Sequence, residues 1–392
     1  MPPGVQEIRS RLRLLAAKLR EKGLHGALVR YPLNIFYLSG TFVDGHLVVT
    51  EREESYLLVY RTLGRAKEEA KVSEIISFRS LRQLPGFLKD LGLQRIGLEY
   101  DRLPARVFFY YQDLLAEFEL SDLTPLLWAL RARKSPYEIE CLRQAASMLA
   151  EALEAFLPKL RPGMSELEAA GLFEAELRKR GHPAYTRTYA WHQELAYGHL
   201  LFGDSAAVPS YLTTGQGGPG VWGYPQGPGV KRLKKGELIL IDYAGWYEGY
   251  MVDQTRIFAC ESLPQDLIDL YKKICSLISF LEKELSPGLL IEKFYHQAME
   301  QAEALGLGKC LMAHGEEGVN FIGHGVGLEI DEWPPVAPKV KVPFEPGMVI
   351  ALEPKCHLPG IGVIGLEDTF LITSQGAERL TLFPRELLFL KA

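Results

Sequence analysis

The chain has 392 residues, of which 47% are hydrophobic and 24% are charged, as in an ordinary soluble globular protein. A chain of this length is too long for one compact core, so two domains are expected. The formal net charge of -5 gives no reason to expect nucleic acid or an anionic membrane surface as a partner.

The N-terminus and the cysteines both indicate a cytoplasmic protein. Residues 1–15 contain no continuous apolar segment of the kind found in signal peptides, and no apolar run approaches the roughly 20 residues of a membrane span. The five cysteines lie far apart without a CxxC pair, so we expect reduced thiols, none of which has the spacing of a cysteine zinc site. They are Cys141, Cys260, Cys275, Cys310 and Cys356.

Asparagine is nearly absent, with Asn34 and Asn320 as its two occurrences. Depletion of a thermolabile residue type is consistent with a thermophilic source. A compositional bias of the genome would give the same count.

The first third of the chain alternates between helical and extended segments. Apolar residues recur with a helical period between Ile8 and Leu19, and Gly23 is a typical helix end. Short strands and helices then alternate as far as Glu99. This alternation predicts an α/β N-terminal domain covering residues 1–130, with few ligand-spaced His, Asp or Glu residues.

The second domain is expected to cover residues 131–392. Residues 135–138 read Ser-Pro-Tyr-Glu, which combines a capping box with a proline at the first helical position. This start predicts a helix that ends near Leu157. A second capping box, formed by Ser165 and Glu168, predicts a helix at 165–180, and further helices are expected at 264–285 and 289–305.

Residues 201–230 form a long stretch that is rich in Gly, Pro and Tyr and has little periodicity. Loops this long in compact domains are usually either functional or disordered. The aromatic content favours an ordered loop, so we expect this stretch to border the functional site.

Residues 238–258 have two apolar arms joined at a Trp-Tyr-Glu-Gly tip, which is the pattern of a β-hairpin. One acid interrupts each arm, Asp242 in the first and Asp253 in the second. If the turn is centred between Tyr247 and Glu248, the two acids are cross-strand partners with Cβ atoms roughly 5 Å apart. Two ionised carboxylates this close repel each other, so a pair of metal ions is the natural counter-charge.

A second stretch, residues 348–371, repeats the pattern of the first. An acid follows a glycine by six residues in both copies, at Asp242 and at Glu353. Glu367 corresponds to Asp253, and a Pro-Gly turn lies midway between Glu353 and Glu367. These two acids should therefore also face each other across a hairpin.

Two duplicated halves that close on each other would bring four carboxylates to a shared axis. Without cations, four buried carboxylates would be strongly destabilising, whereas solvated acids on an exposed strand would need none. His324 adds one imidazole, and its flanking glycines allow close approach, although a lone histidine is more often structural. We therefore expect a metal site, in which the nitrogen ligand favours Mn, Co, Fe or Zn over Ca or Mg.

The ordered set of five residues resembles the ligand set of the pita-bread metallopeptidases, which include methionine aminopeptidase, aminopeptidase P and prolidase. The set is Asp242, Asp253, His324, Glu353 and Glu367. The surrounding segments agree: Asp-Gln-Thr-Arg at 253–256, Gly-His-Gly-Val-Gly at 323–327 and Leu-Glu-Asp at 366–368. The α/β domain and the Lys-Ser-Pro-Tyr-Glu-Ile segment at 134–139 are similar to the aminopeptidase P, prolidase and creatinase branch. The resemblance implies an α+β pita-bread catalytic domain with an internal pseudo-two-fold repeat.

For that branch, the resemblance implies two divalent ions bridged by a water or hydroxide that attacks the scissile carbonyl. Asp242 would bind one ion and His324 the other, with Asp253 and Glu367 bridging the two. Glu353 would be both a ligand and the proton shuttle. The implied substrates are short peptides with proline in second position, and the implied assembly is a homodimer.

Three positions depart from the family pattern. Gln226 and Asp331 stand where the family usually has histidines that contact substrate, and Gly365 stands where it usually has an arginine. Gln226 can still donate a hydrogen bond to substrate. An ionised Asp331 cannot donate, and it would disfavour a nearby oxyanion.

Two other histidines, His192 and His199, lie just before the aperiodic stretch at residues 201–230. We expect one of them to enter the substrate pocket. A structural histidine with a backbone partner is the alternative for either residue.

These observations leave three functions open. The leading one is an Xaa-Pro aminopeptidase or dipeptidase that uses two metal ions. The second keeps the metals but cleaves a related amide other than Xaa-Pro, as the departures at Gln226 and Asp331 suggest. The third is a non-catalytic binding protein on the same fold, which the retention of all five ligands disfavours, as it does a creatinase-like metal-free mechanism.

Overall fold

The computed structural model describes residues 2–191, 193–212, 215–312 and 318–390. The chain divides into two compact units, one up to Arg131 and one from Ala132 onward. Within the described ranges, no helix is both long and apolar enough to cross a membrane.

The first unit is built on one six-stranded mixed sheet. Its helices are α1 (Val5–Lys22), α2 (Pro32–Ser39), α3 (Leu63–Glu69), α4 (Leu84–Asp90), α5 (Ala105–Leu114) and α6 (Thr124–Ala132). Its strands are β1 (Gly26–Val29), β2 (Gly45–Thr50), β3 (Ser55–Val59), β4 (Glu74–Ser77), β5 (Arg95–Leu98) and β6 (Glu119–Asp122). The strand order is β4-β3-β2-β1-β5-β6, which confirms the α/β class.

Helix α1 follows the predicted periodicity. Its buried side chains include Ile8, Leu12 and Leu15, which recur at helical spacing on one face. The helix ends at Gly23, whose φ of 63° lies in the left-handed region that glycine adopts at low cost. The sequence therefore specified both the buried face and the end of this helix.

In its described residues, the second unit combines two pairs of α-helices with three sheets. Its helices are α7 (Pro136–Phe156), α8 (Glu166–Lys179), α9 (Gln265–Glu284) and α10 (Ile291–Ala304). Its strands are β7 (Gly198–Phe202), β8 (Leu238–Tyr247), β9 (Tyr250–Cys260), β10 (Gly323–Gly325), β11 (Val349–Leu352), β12 (Lys355–Leu358), β13 (Gly362–Gly365), β14 (Asp368–Thr373), β15 (Gly376–Arg379) and β16 (Leu388–Leu390). The sheet orders are β16-β9-β8-β7, β10-β11-β14-β15 and β12-β13.

The two predicted capping boxes are confirmed. At the start of α7, the Ser135 hydroxyl accepts from the Glu138 backbone N–H, and the Glu138 carboxylate accepts from the Ser135 N–H. Ser165 and Glu168 make the same reciprocal pair at the start of α8. Each box satisfies two backbone donors that a helix start otherwise leaves unpaired.

Strand β8 alternates its side chains between two cores. Ile239 and Ile241 pack in one core with residues of α7 and α8. Leu238 and Leu240 pack in the other core with residues of α9, α10, β11 and β14. Asp242 follows Leu238 and Leu240 at the two-residue period of a strand, so its side chain faces the second half of the unit.

The register of β8 and β9 differs from the prediction. Asp242 pairs with Thr255, and Asp253 pairs with Ala244, so the two acids are diagonal neighbours and do not oppose each other directly. The turn is centred one residue later than expected, because Glu248 and Gly249 both adopt positive φ. That conformation is typical of a tight two-residue hairpin turn.

The second hairpin has the predicted register but an interrupted ladder. Leu352 pairs with Asp368 on one side of the interruption, and Lys355 pairs with Gly365 on the other. Glu353 and Glu367 lie at corresponding positions in the gap between these two ladders, so they face each other as the sequence predicted. Pro354, which follows Glu353, has no N–H to donate to a continuous ladder.

Reciprocal hydrogen bonds join the two hairpins, each through a threonine two residues after an acid. The Thr255 hydroxyl donates to the Glu367 carboxylate over 2.9 Å. The Thr369 hydroxyl donates to the Asp253 carbonyl over 2.9 Å and accepts from the Asp253 N–H over 3.0 Å. The two threonines occupy equivalent positions in the two hairpins, as the internal pseudo-two-fold repeat implies.

The expectation of five reduced cysteines is wrong for one pair. Cys310 and Cys356 form a disulfide across 46 residues of sequence, while Cys141, Cys260 and Cys275 are free. A β-bridge between Leu311 and Cys356 brings the two segments side by side. The long separation in sequence concealed this pairing.

Candidate metal centre

All five predicted ligands line one pocket of the second unit. The first hairpin contributes Asp242 and Asp253, the second contributes Glu353 and Glu367, and strand β10 contributes His324. Further residues of the described chain that line this pocket include His199, Leu212, Gln216, Asp331 and Lys355. The predicted border role of the 201–230 stretch is met by Leu212 and Gln216.

One side of the pocket is centred on the His324 Nε2 atom. Carboxylate oxygens of Glu353, Glu367 and Asp253 lie 3.6, 3.8 and 4.0 Å from this atom. An oxygen of Asp331 lies 3.8 Å away. Oxygens and a nitrogen at these separations are close enough to ligate one shared ion, and Asp253, His324 and Glu367 form such a group.

The His324 imidazole is oriented for ligation. Its Nδ1 atom lies 3.0 Å from the Gly325 carbonyl oxygen, which can only accept a hydrogen bond. Nδ1 therefore carries a proton, which leaves Nε2, the ring atom that faces the carboxylates, as the one that would ligate an ion. This mixed nitrogen and oxygen donor set suits Mn, Co, Fe or Zn.

The opposite side of the pocket contains a lysine that the sequence analysis did not single out. The Lys355 Nζ atom lies 2.8 Å from a Glu353 oxygen, 3.0 Å from a Glu367 oxygen and 3.1 Å from an Asp242 oxygen. Lys355 is 1% exposed. Its ammonium thus stands among three of the five predicted ligands.

Glu353 and Glu367 divide their oxygens between the two sides. Their Oε2 atoms accept hydrogen bonds from Lys355, while their Oε1 atoms lie on the side of His324. The Glu367 Oε1 atom is buried and has no hydrogen-bond partner among the described residues. An orphaned buried carboxylate oxygen of this kind fits a cation on the His324 side.

Burial and mutual repulsion perturb the carboxylates. Burial first, and the neighbouring Glu367 and Asp242 second, raise the pKa of Asp253 well above its usual value. Burial also raises the pKa of Glu367 to about 7, although the Lys355 ammonium opposes this shift. The cluster therefore still lacks positive charge when Lys355 is counted.

The Lys355 side chain remains an ammonium in this environment. Burial alone would lower its pKa, but Asp242, Glu353 and Glu367 outweigh burial and hold the pKa well above the usual value. A buried ammonium is stable only when it is paired and hydrogen-bonded in this way.

His199 lies beside Asp242, with which it pairs across β7 and β8. Its Nε2 atom lies 2.9 Å from the Gln226 amide oxygen, and its Nδ1 atom lies 3.3 Å from the Gln216 amide nitrogen. Both ring nitrogens are thus engaged by protein groups. Although His199 lines the pocket, this geometry favours a structural role over a substrate contact, with side-chain amides in place of the expected backbone partner.

The position of Gln226 does not favour the substrate contact that the sequence suggested for it. Its side chain bonds to His199 and to the Glu194 carbonyl oxygen, and it is absent from the described lining of the pocket. Gly227 has a positive φ of 71° and lies against the His199 ring. Gln226 therefore positions the His199 ring through a hydrogen bond and does not itself face the pocket.

Asp331 does reach the pocket, and His192 lies outside the described residues. Asp331 has a φ of 62°, in the left-handed region. The next residue, Glu332, fixes this turn because its carboxylate accepts from the Leu328 and Glu329 N–H groups and pairs with Lys134 over 3.3 Å. The loop thus holds an acidic group at the rim of the metal side.

Two further contacts were missed from the sequence. Gln216 donates a hydrogen bond to Asp242, and nothing in an aperiodic loop could have singled it out. Lys355 did carry a signal, because a lysine two residues after Glu353 shares its strand face, and Gly365 stands opposite.

Two family models match the chain. The model of "Metallopeptidase family M24" matches residues 140–374, and that of the "Creatinase/Prolidase N-terminal domain" matches residues 11–133. The chain belongs to metallopeptidase family M24. It is therefore a metallopeptidase of the pita-bread fold, and its family supports metal-dependent hydrolysis of peptides, as the resemblance implied.

Relatives and solved structures match over nearly the whole chain. The chain is 26% identical over 385 residues to an Xaa-Pro dipeptidase of Pyrococcus furiosus, covering 97% of this chain and 100% of the relative. An Xaa-Pro dipeptidase structure from Bacillus anthracis superposes with a TM-score of 0.82 at 25% identity, covering 99% and 100% of the two chains. A prolidase structure from Pyrococcus horikoshii has a TM-score of 0.80 at 24% identity, covering 96% and 99%. At 24% identity, the Pyrococcus horikoshii structure supports the assignment of the fold and nothing further.

Proposed function

We propose that this M24 metallopeptidase hydrolyses short peptides that carry proline in second position. The observation that carries the proposal is the convergence of Asp253, His324, Glu353 and Glu367 on one position, with an orphaned Glu367 oxygen directed at it. The full-length match to an Xaa-Pro dipeptidase supports the substrate class.

The metal that we propose for this position is Mn, Co, Fe or Zn. When bound, such an ion polarises the scissile carbonyl and lowers the pKa of water. Asp253, His324, Glu353 and Glu367 would hold it. A homodimeric assembly stays a prediction.

Within the chain, Glu353 is the proposed proton shuttle. Its Oε1 atom lies 3.6 Å from His324 Nε2, on the side where the peptide bond would be cleaved, and its Oε2 atom accepts from Lys355. The ammonium holds the carboxylate in one orientation, so that Oε1, which would also contact the ion, is the oxygen placed to take a proton and pass it to the leaving amine.

A second candidate function is hydrolysis of a related amide other than Xaa-Pro. Asp331 favours it, because this side chain stands 3.8 Å from His324 Nε2 and an ionised carboxylate would repel a developing oxyanion. A substrate with a cationic or hydrogen-bond-donating group at this point would suit an acid there.

The test compares Ala-Pro and Ala-Pro-Ala with Ala-Ala and Ala-Ala-Ala, using protein loaded with Mn or Co. We expect cleavage of the proline peptides to exceed that of their matched alanine controls, and Glu353→Gln to lower kcat by about 100-fold or more. Absence of turnover of every proline peptide by metal-loaded protein would rule out the Xaa-Pro assignment. Profiling of cell metabolites after incubation would then identify another amide.

The variants Asp331→His and Gln226→His separate the two candidates. If Asp331 directs the protein away from Xaa-Pro peptides, Asp331→His raises kcat/KM for Ala-Pro. Gln226→His is the matched control, because Gln226 lies behind His199 and the same change there should give no gain. Equal gains for both variants would contradict the placement of Gln226.

A further inference from the structure

We propose that the Lys355 ammonium permanently occupies one of the two cation positions, so that the chain binds a single divalent ion on the His324 side. This inference rests on the function proposed above for the same pocket and specifies how its charge is balanced. It replaces the two-ion arrangement that the family resemblance implied.

The first argument is the hydrogen bonding of the ammonium. A lysine ammonium has three donors, and three carboxylates surround this one at 2.8, 3.0 and 3.1 Å. Donors and acceptors are therefore matched one to one. With 1% of the residue exposed, water offers no competing partner.

The second argument is that the chain leaves room for this side chain. Gly365 lies directly opposite Lys355 in the β12–β13 ladder. A Cβ atom at residue 365 would overlap the Lys355 Cγ atom, and one at Gly215 would lie 3.0 Å from its Cδ atom. Two glycines thus line the path of the lysine stem to the carboxylates.

The third argument is competition for the same oxygens. An ion bound by Asp242 would need that carboxylate together with the Oε2 side of Glu367, and both oxygens already accept from Lys355. Ligand oxygens bind such ions at about 2.0–2.2 Å. An ammonium and a second ion cannot share that space, and their charges repel each other.

The fourth argument is that one divalent ion is still required. Among the residues that the structure describes, five carboxylates line the pocket with one buried ammonium, that of Lys355: Asp242, Asp253, Asp331, Glu353 and Glu367. Those of Asp253 and Asp331 lie on the His324 side. Glu367 Oε1 lacks a hydrogen-bond partner in the described part of the chain. The His324 side therefore keeps both the ligands and the excess negative charge that attract a divalent cation.

The experiment counts ions in the full-length protein. Wild type and Lys355→Ala are stripped with a chelator, saturated with Mn²⁺ and freed of excess ion, and manganese per chain is then measured by mass spectrometry. We expect about one ion per chain in wild type and about two in Lys355→Ala, because the truncated side chain opens the Asp242 side. Electron paramagnetic resonance should show an isolated ion in wild type and an exchange-coupled pair in the variant.

Lys134→Met is the matched control. Lys134 is a second buried lysine with a carboxylate partner, Glu332 at 3.3 Å, but it lies outside the ligand cluster. This variant should keep the wild-type stoichiometry and the signal of an isolated ion. A gain of a second ion in Lys134→Met would show that loss of any buried ammonium has this effect, and it would overturn the proposal.

Other outcomes also decide the question. Two ions in wild type, no ion in wild type, or one ion in both wild type and Lys355→Ala would each overturn it. If Lys355→Ala fails to fold, the wild-type count and resonance signal still test the claim of one ion. Because neither readout uses peptide cleavage, failure of this inference and failure of the Xaa-Pro assignment are distinguishable.

Discussion

The two hairpins that build the pocket differ in the continuity of their ladders and in how their acids face each other. The ladder of β8 and β9 runs without interruption through Asp242 and Asp253, and the turn at its tip places these two acids diagonal to each other. The ladder of the second hairpin breaks where Glu353 and Glu367 face each other. The first hairpin contributes two acids to the cluster, whereas the second contributes two acids and also the Lys355 ammonium, two residues after Glu353.

The largest expected effect is a difference in Mn²⁺ affinity between variants of Glu367, in the second hairpin, and Asp242, in the first. Glu367→Gln removes a carboxylate from the proposed ion position, so we expect Mn²⁺ affinity to fall by at least about 100-fold. Asp242→Asn changes a partner of Lys355 on the other side and should lower the affinity by less than about 10-fold. Calorimetric titration of chelator-treated protein measures both values.

Equal losses of affinity in these two variants would contradict this asymmetry. They would indicate that Asp242 and Glu367 bind the same ion. Thermal unfolding without metal serves as the control that both variants fold.

The next effect concerns the contact between the hairpins. Arg256 is 1% exposed, donates to Asp368 over 2.6 Å and donates to the Glu367 carbonyl over 2.8 Å. Arg256→Met leaves the Asp368 carboxylate without this buried partner, so the free energy of unfolding should fall by about 3–5 kcal/mol. Urea unfolding of the metal-free protein measures the change.

The matched control is Arg143→Met on the surface. Arg143 and Glu378 also form an ion pair, at 2.7 Å, but their side chains are 47% and 43% exposed. Solvent screens such a pair, so its loss should cost less than about 1 kcal/mol. Similar losses from both variants would show that burial of Arg256 does not govern its contribution.

The smallest expected effects distinguish the two reciprocal threonines. Thr369→Val removes two hydrogen bonds to the Asp253 backbone, so it should lower the free energy of unfolding by about 2 kcal/mol and leave Mn²⁺ affinity unchanged. Thr255→Val removes one bond to the Glu367 carboxylate. It should lower stability by about 1 kcal/mol and weaken Mn²⁺ binding several-fold.

Urea unfolding and calorimetric titration of each threonine variant give both readouts. The comparison would be contradicted if Thr369→Val weakened ion binding more than Thr255→Val. In that case Asp253 would depend on its backbone partner more than Glu367 depends on its side-chain partner.

Elements with a strong local signal were predictable from the sequence. The capping boxes at Ser135 and Ser165 and the facing of Glu353 and Glu367 all follow from residues near one another in the chain. The direct opposition of Asp242 and Asp253 was wrong, because the turn geometry at the tip of the first hairpin sets the register.

Long-range pairings were not predictable. The Cys310–Cys356 disulfide depends on a β-bridge between segments far apart in sequence. The two-residue spacing places Lys355 on the strand face of Glu353, but its contact with Asp242, 113 residues away in sequence, depends on how the two hairpins pack. Packing between elements decided both features.

The attachment of the Lys355 ammonium to the backbone has a consequence for how the pocket responds to its surroundings. The occupancy of a dissociable ion falls when its free concentration drops below its dissociation constant, and any stability that it confers falls with it. A covalently held cation has no such dependence. The Asp242 side of the pocket should therefore keep its charge balance in a metal-poor medium. A low metal concentration should lower only the ion occupancy on the His324 side.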